Sequence, residues 1–160
     1  MEEEEDEAIT AAAEAAPVVG DDDYDDDDAA ACRSYGLNLG IAFQLIDDAL
    51  DYGGIANTLG KNTGDDFREG KITLPVLLAF ARGSEAERDF WRRVLEDVAQ
   101  EQGDLARAQE LLARHGAIDA TVARAEAYAQ RARQSLAPFP YSRAKQAMLD
   151  LLDFCTARAY

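Results

Sequence analysis

Three carboxylates crowd into the stretch FQLIDDALDY, residues 43–52: Asp47, Asp48 and Asp51, set among Phe43, Leu45, Ile46 and Leu50. On a helix, Asp47 and Asp51 are four residues apart and Asp48 and Asp51 three apart, spacings that make side chains neighbours on one face. Asp47 and Asp48 diverge by about 100° and flank that seam. Like charges this close repel and raise one another's pKa. The pattern makes chemical sense when a divalent cation neutralises it. Mg2+ takes hard oxygen ligands, keeps several waters and bridges a few carboxylates to phosphates. The bland reading of the same residues is a solvated face in an acidic chain.

The segment that follows favours the metal reading. LGKNTGDDFREGK, residues 59–71, brings Lys61 and Lys71 together with Asp65 and Asp66. Ammonium groups on one side and metal ions on the other suit a diphosphate. Asp65 is placed to orient a metal-bound water or a lysine. Glycines at 60, 64 and 70 let backbone come close to phosphate.

These residues need helices to hold them. The pattern predicts a helix over residues 29–52, stopped by Gly53-Gly54. Residues 53–72 read as one long polar loop, the kind that is usually functional. Thr73 is placed to cap a helix with Pro75 near its start, ending at Gly83. Ser84 caps the next, on which Phe90, Val94 and Val98 recur at spacing four. Further helices follow Gly103-Asp104, span roughly 118–136, and run from about Tyr141 to Ala159. Ala8–Ala16 favours helix and Pro17 ends it. Strand signals are nearly absent, so the fold class is all-α.

The chain of 160 residues is long enough for one domain with a real core, and carries a net charge of −16. Residues 1–28 hold 14 acids and no Lys or Arg, leaving 18 acids against 16 bases in the rest. The division is thus an acidic leader and linker, 1–28, expected to be partly disordered, and a nearly neutral helical part, 29–160. Such a charge balance argues against nucleic acid as a partner. No run reaches the length of a transmembrane helix. Cys32 and Cys155 lack metal-ligand spacing and read as reduced, buried thiols of a cytoplasmic protein. His115 reads as a cation at a helix C-terminus. Phe90, Trp91, Tyr128, Tyr141 and Tyr160 read as packing residues, and Arg92, Arg93, Arg131 and Arg133 as solvated faces.

The stretch GLNLGIAFQLIDDALDYGGIANTLGKNTGDDFREGKITLPVLLAFARG resembles the second aspartate-rich region of trans-polyprenyl diphosphate synthases. It is most similar to the long-chain octaprenyl, solanesyl and decaprenyl type that makes quinone side chains. FQxxDDxxD, LGK, GDD and GKxTLP follow one another in order. The resemblance covers residue 29 onward well and AITAAAEAAPVVG weakly. It implies an isoprenoid-synthase-like helical bundle, of which this is the C-terminal part. It also implies that Asp47, Asp48 and Asp51 bind Mg2+, with Asp47, Asp48 and Lys61 in the catalytic machinery. Gln44, Lys61, Lys71 and Asp65 then serve the allylic diphosphate, and Phe43 lies beside the isoprenoid cavity. The substrates implied are an allylic diphosphate and isopentenyl diphosphate, with assembly as a homodimer or heteromer through helix faces.

The family's earlier DDxxD, and the basic residues before it, have no counterpart here. Asp22, Asp23 and Asp26 share that spacing but fall where the family has a surface linker. Ile9 stands where the family has Lys, before Thr10. The resemblance therefore implies a chain that is incomplete and inactive alone. The alternatives are a non-catalytic subunit that binds a prenyl synthase, a class I terpene cyclase relative, and an acidic helical protein without chemistry. GKxTLP and the paired lysines favour chain elongation over cyclisation.

Overall fold

Helix α1, Asp26–Tyr52, is the long axis of the molecule. The computed structural model describes residues 26–53 and 64–158; the Ala8–Ala16 helix, Lys61 and Tyr160 lie outside them. Asp26, Asp27 and Asp28, read above as linker, form the first turn of α1, where acids complement the positive end of the helix dipole. Tyr35, Ala42, Ile46, Ala49 and Tyr52 recur at helical spacing and are buried. The helix stops at Gly53, whose amide still donates to the Ala49 carbonyl at 3.0 Å.

Six further helices follow, and no strand is found among the described residues. They are α2 (Asp65–Arg68), α3 (Leu74–Arg82), α4 (Glu85–Trp91), α5 (Asp104–Arg114), α6 (Ala117–Ser135) and α7 (Arg143–Ala157). The long loop expected over 53–72 thus contains the single turn α2. Helix α6 is the main partner of α1. Its buried stripe, Ala117, Thr121, Ala125, Ala129 and Ala132, is made of small residues, which lets the two backbones come close. Tyr35 shares a core with Ala132, and Tyr52 with Ala117, so the helices run antiparallel.

Two cores result. One, around Tyr52, gathers Phe67, Val76, Phe90, Trp91, Val94, Leu111 and Leu112. The other, around Tyr35, gathers Leu136 with Leu152 and Cys155 of α7. Each fully buried Leu, Val or Phe contributes roughly 1.5–3 kcal/mol of transfer free energy. Helix α7 starts at Ser142, whose Oγ accepts from the Lys145 amide at 3.1 Å, and is tied to α1 where Tyr35 Oη donates to the Met148 carbonyl at 2.9 Å.

Ser84 and Glu87 form a reciprocal capping box at the start of α4: the Ser84 amide donates to Glu87 Oε2 at 2.7 Å, and the Glu87 amide to Ser84 Oγ at 3.4 Å. Glu87 also accepts from Arg114 Nη1 at 2.8 Å and lies 3.2 Å from His115 Nε2. His115 does sit at the C-cap of α5, and its ring reaches across to α4 as well. The Ser84 amide first, then His115 and Arg114, hold the Glu87 carboxyl down to about 2.

Four further expectations shift. Thr73 occupies the N-cap of α3 but makes no side-chain cap bond. Helix α4 widens into a π-turn over Arg92–Glu96, so Val98 leaves the apolar stripe and is 55% exposed. The cause is tertiary: Arg93 forks onto Asp104 with two contacts of 2.9 Å and donates to the Ala99 carbonyl at 2.7 Å, ending the regular helix. Cys32 is exposed because it lies away from the buried stripe of α1, while Cys155 is buried. Tyr141 is exposed in the connection before α7, whereas Phe90 and Trp91 pack edge to face in the core, 5.3 Å apart.

Two measurements check this account. Ala132→Leu forces side-chain volume between α6 and its neighbours and should destabilise the chain by about 1–3 kcal/mol in urea unfolding. Glu87→Gln should lower Tm at pH 7. The Glu87 carboxyl is depressed in the fold, so its contribution is present above the ordinary carboxylate range and is lost as pH falls. The gap between wild type and variant should close between roughly pH 4.5 and 2, which a pH series of melts reads directly.

Candidate functional site

The last turns of α1 carry the acidic cluster, and each aspartate meets a different partner. Asp47 is partly exposed and takes Arg158 Nη2 on Oδ1 at 2.9 Å. Asp48 is buried and takes Gln44 Nε2 on Oδ1 at 2.8 Å, one turn back on α1. Asp51 turns to α2. Its carboxylate accepts from the amides of Asp65 at 3.2 Å and Asp66 at 3.0 Å, and its carbonyl accepts from the Gly64 amide at 2.8 Å. Asp51 therefore does for α2 what an N-cap does, from fourteen residues away.

Gly64 makes that junction possible. Its φ is +85°, and a Cβ there would lie 2.7 Å from the methyl carbons of Leu105. Behind it, α2 turns Asp66 and Lys71 toward the α1 acids. Lys71 Nζ contacts Asp66 at 2.9 Å and Glu69 at 2.8 Å, and the Lys71 amide donates to the Asp66 carbonyl at 2.9 Å. Glu69 and Asp66 together hold the Lys71 ammonium well above the ordinary lysine range. Asp65 pairs with Arg68 at 2.7 Å, so of the two adjacent aspartates it is Asp66 that engages Lys71, together with Glu69.

Burial pushes the Asp48 carboxyl up; Gln44 opposes this, Asp66 and Asp47 add to it, and Lys71 opposes it. Asp51 is likewise raised by burial, against the amide bonds it accepts. Asp66 and Lys71 thus act on Asp48 across the gap between the two segments, and the acid face and the loop form one electrostatic unit. Phe43 is 44% exposed, with the Arg158 guanidinium 5.0 Å from its ring centre. Of the residues the sequence singles out, Gln44, Asp47, Asp48, Asp51 and Lys71 come together here, with Phe43 at the rim; Lys61 lies outside the described residues. Asp66 and Arg158 are members the sequence did not distinguish. Asp66 has the same local pattern as Asp65, and Arg158 stands 111 residues from Asp47 with no motif around it.

Among the described residues, no group of three or more His, Cys, Asp or Glu side chains converges into a metal cage. The oxygen donors fit a different mode. Mg2+ characteristically binds through one or two carboxylates plus phosphate oxygens and waters, and the half-exposed Asp47 beside Asp48 offers such a pair.

The helical bundle matches solved polyprenyl synthases, which places it in the all-α isoprenoid-synthase fold. It aligns with a polyprenyl synthase from Caulobacter crescentus, solved with calcium and isoprenyl diphosphate, at TM-score 0.76 and 51% identity, covering 85% of this chain and 42% of that one. A decaprenyl diphosphate synthase from Rhodobacter capsulatus aligns at TM-score 0.79 and 46% identity, again over 85% and 42%. An octaprenyl diphosphate synthase from Haemophilus influenzae is 36% identical over 130 residues, 81% of this chain and 39% of that protein. The polyprenyl synthetase family model matches residues 7–112, and the chain belongs to that family. The match begins well before residue 29. The chain spans about two fifths of the length of these three relatives.

A raised carboxyl destabilises the fold once it is ionised: its contribution is favourable below the ordinary carboxylate range and is lost as pH rises through the folded value. In metal chelator at pH 7, Asp48→Asn should therefore raise Tm by a few degrees while keeping an acceptor for Gln44. The difference should fade as the melts are repeated toward pH 4.

Proposed function

We propose that this chain forms the diphosphate- and metal-binding part of a Mg2+-dependent trans-prenyltransferase. The enzyme adds isopentenyl diphosphate units to an allylic diphosphate, making a long isoprenoid such as a quinone side chain. The observation that carries the reading is the joining of the α1 acids to the Lys71 segment through Asp51 and α2. It gains weight from the calcium and isoprenyl diphosphate named with the Caulobacter structure.

In this reading, Asp47 and Asp48 hold Mg2+, which when bound supplies positive charge to the departing diphosphate. Gln44 keeps the Asp48 carboxylate turned toward the site, and Asp51 fixes the Lys71 segment against α1. Lys71 and Lys61 donate to diphosphate oxygens, and Phe43 lines the path of the isoprenoid tail. The allylic C–O bond breaks, the isopentenyl double bond attacks the allylic carbon, and a proton leaves. The remaining part of the fold supplies the facing half of the site, so the 160 residues alone turn over little substrate. No helix among the described residues is long and apolar enough to cross a membrane, in keeping with action in the cytoplasm.

A second reading, a non-catalytic subunit that seats on a prenyl synthase, is favoured by the apolar side chains left open on α1 and α7: Leu37 is 64% exposed and Phe154 66%. Absence of ligand binding would favour this second reading.

Calorimetry with farnesyl diphosphate, with and without Mg2+, tests the proposal. Binding should require Mg2+, and an Asp47→Ala/Asp48→Ala chain should bind about a hundredfold more weakly, ~2.7 kcal/mol. Metal-independent binding, or equal binding by the double variant, would sink it.

A further inference from the structure

We propose that Arg158 is a ligand-responsive part of the aspartate site. It holds Asp47 in the ligand-free chain and turns onto the diphosphate oxygens in the loaded one. The inference rests on the function proposed above and adds to it a residue from the far end of the fold.

The geometry is specific. Arg158 sits at the C-cap of α7, and α7 is anchored on the rest of the bundle by buried Leu152 and Cys155 and by the Tyr35 hydroxyl on the Met148 carbonyl. That anchoring brings the guanidinium to α1, with Nη2 2.9 Å from Asp47 Oδ1 and the carbon of the group 5.0 Å from the Phe43 ring centre. The Phe43 face supports the cation while Asp47 fixes its direction.

The energetics argue against a purely structural contact. The Arg158 and Asp47 side chains are 27% and 42% exposed, and ion pairs in that setting add little to stability. Arg158 also occupies Oδ1 of Asp47, one of the two oxygens a cation could take. A carboxylate that passes its charge to a divalent metal releases its arginine, and the planar guanidinium fork matches phosphate oxygens better than a point charge does. The charge balance points the same way. Among the described residues, Asp47, Asp48, Asp51 and Asp66 outnumber Lys71 and Arg158 here, so a diphosphate needs each of these cations.

The test uses Mg2+ with inorganic pyrophosphate, and Mg2+ alone, titrated by calorimetry into the whole chain and into Arg158→Met and Arg158→Lys, with Tm recorded for each. Arg158→Met should weaken pyrophosphate binding about tenfold or more while Mg2+ alone binds no worse, because Asp47 has been released. Arg158→Lys should recover part of the loss. Unchanged pyrophosphate affinity in Arg158→Met would overturn the proposal and leave a structural ion pair. An equal loss for Mg2+ alone and for pyrophosphate would also overturn it, since Arg158 would then only position Asp47. Failure of the wild-type chain to bind Mg2+ and pyrophosphate would strike the proposed function itself, and the role of Arg158 with it. That outcome is read on the wild type and so is distinct from the other two.

Discussion

The close antiparallel contact between α1 and α6 places everything else. Alanines at 125, 129 and 132 present almost no side-chain volume, so α6 can lie against Ala42, Ile46 and Ala49 of α1. A helix held that closely along one face has little freedom to roll. Its opposite flank is then fixed in direction, and Phe43, Gln44 and Asp47 sit on that flank. Helix α7 crosses the same pair and closes the core around Tyr35, and α3 to α5 close the core around Tyr52. The acidic cluster lies near the junction of the two cores, where rigid packing is available from both sides.

Rigid placement sharpens an electrostatic problem. Carboxylates on adjoining helical positions cannot relax apart, and the fold answers with a separate partner for each. Asp47 has a guanidinium, Asp48 a neutral amide and Asp51 two backbone amides. Only the first is a full countercharge. Asp48 is buried with a neutral donor, and burial with Asp66 and Asp47 nearby raises its carboxyl against Gln44 and Lys71. A raised carboxyl weakens the fold once it is ionised, and positive charge brought near it would relieve that cost.

Much of this was readable in the sequence because its signals are local. The apolar stripe of α1, the Gly53 stop, the Ser84–Glu87 capping box and the absence of alternation all act within a few residues. The family motifs are local too: Gln44, Asp47, Asp48 and Lys71 lie in one contiguous stretch. What escaped depends on contacts between distant residues. Helix α2 is four residues long and owes its start to a carboxylate from α1, so no propensity marks it. The periodicity of α4 runs on through Val98 in the sequence, yet Arg93 gripping Asp104 breaks the helix before it. Asp65 and Asp66 are adjacent and alike, and only the turn of α2 decides which one faces Lys71. Arg158 has no neighbouring pattern at all.

The DDxxD spelling suggests three equivalent ligands, but the backbone makes them unequal. Asp51 spends both carboxylate oxygens on α2 amides, and pulling it away to coordinate a metal would release the turn that carries Asp66 toward Lys71. Asp48 can reach a ligand only from a buried position, through the oxygen that Gln44 leaves available or by trading that bond. Asp47 is 42% exposed, and its partner is the Arg158 side chain rather than the backbone. The three carboxylates therefore differ in what they touch: Asp51 anchors α2, Asp48 is buried beside Gln44, and Asp47 pairs with Arg158. That difference follows from which face of α1 is packed against α6.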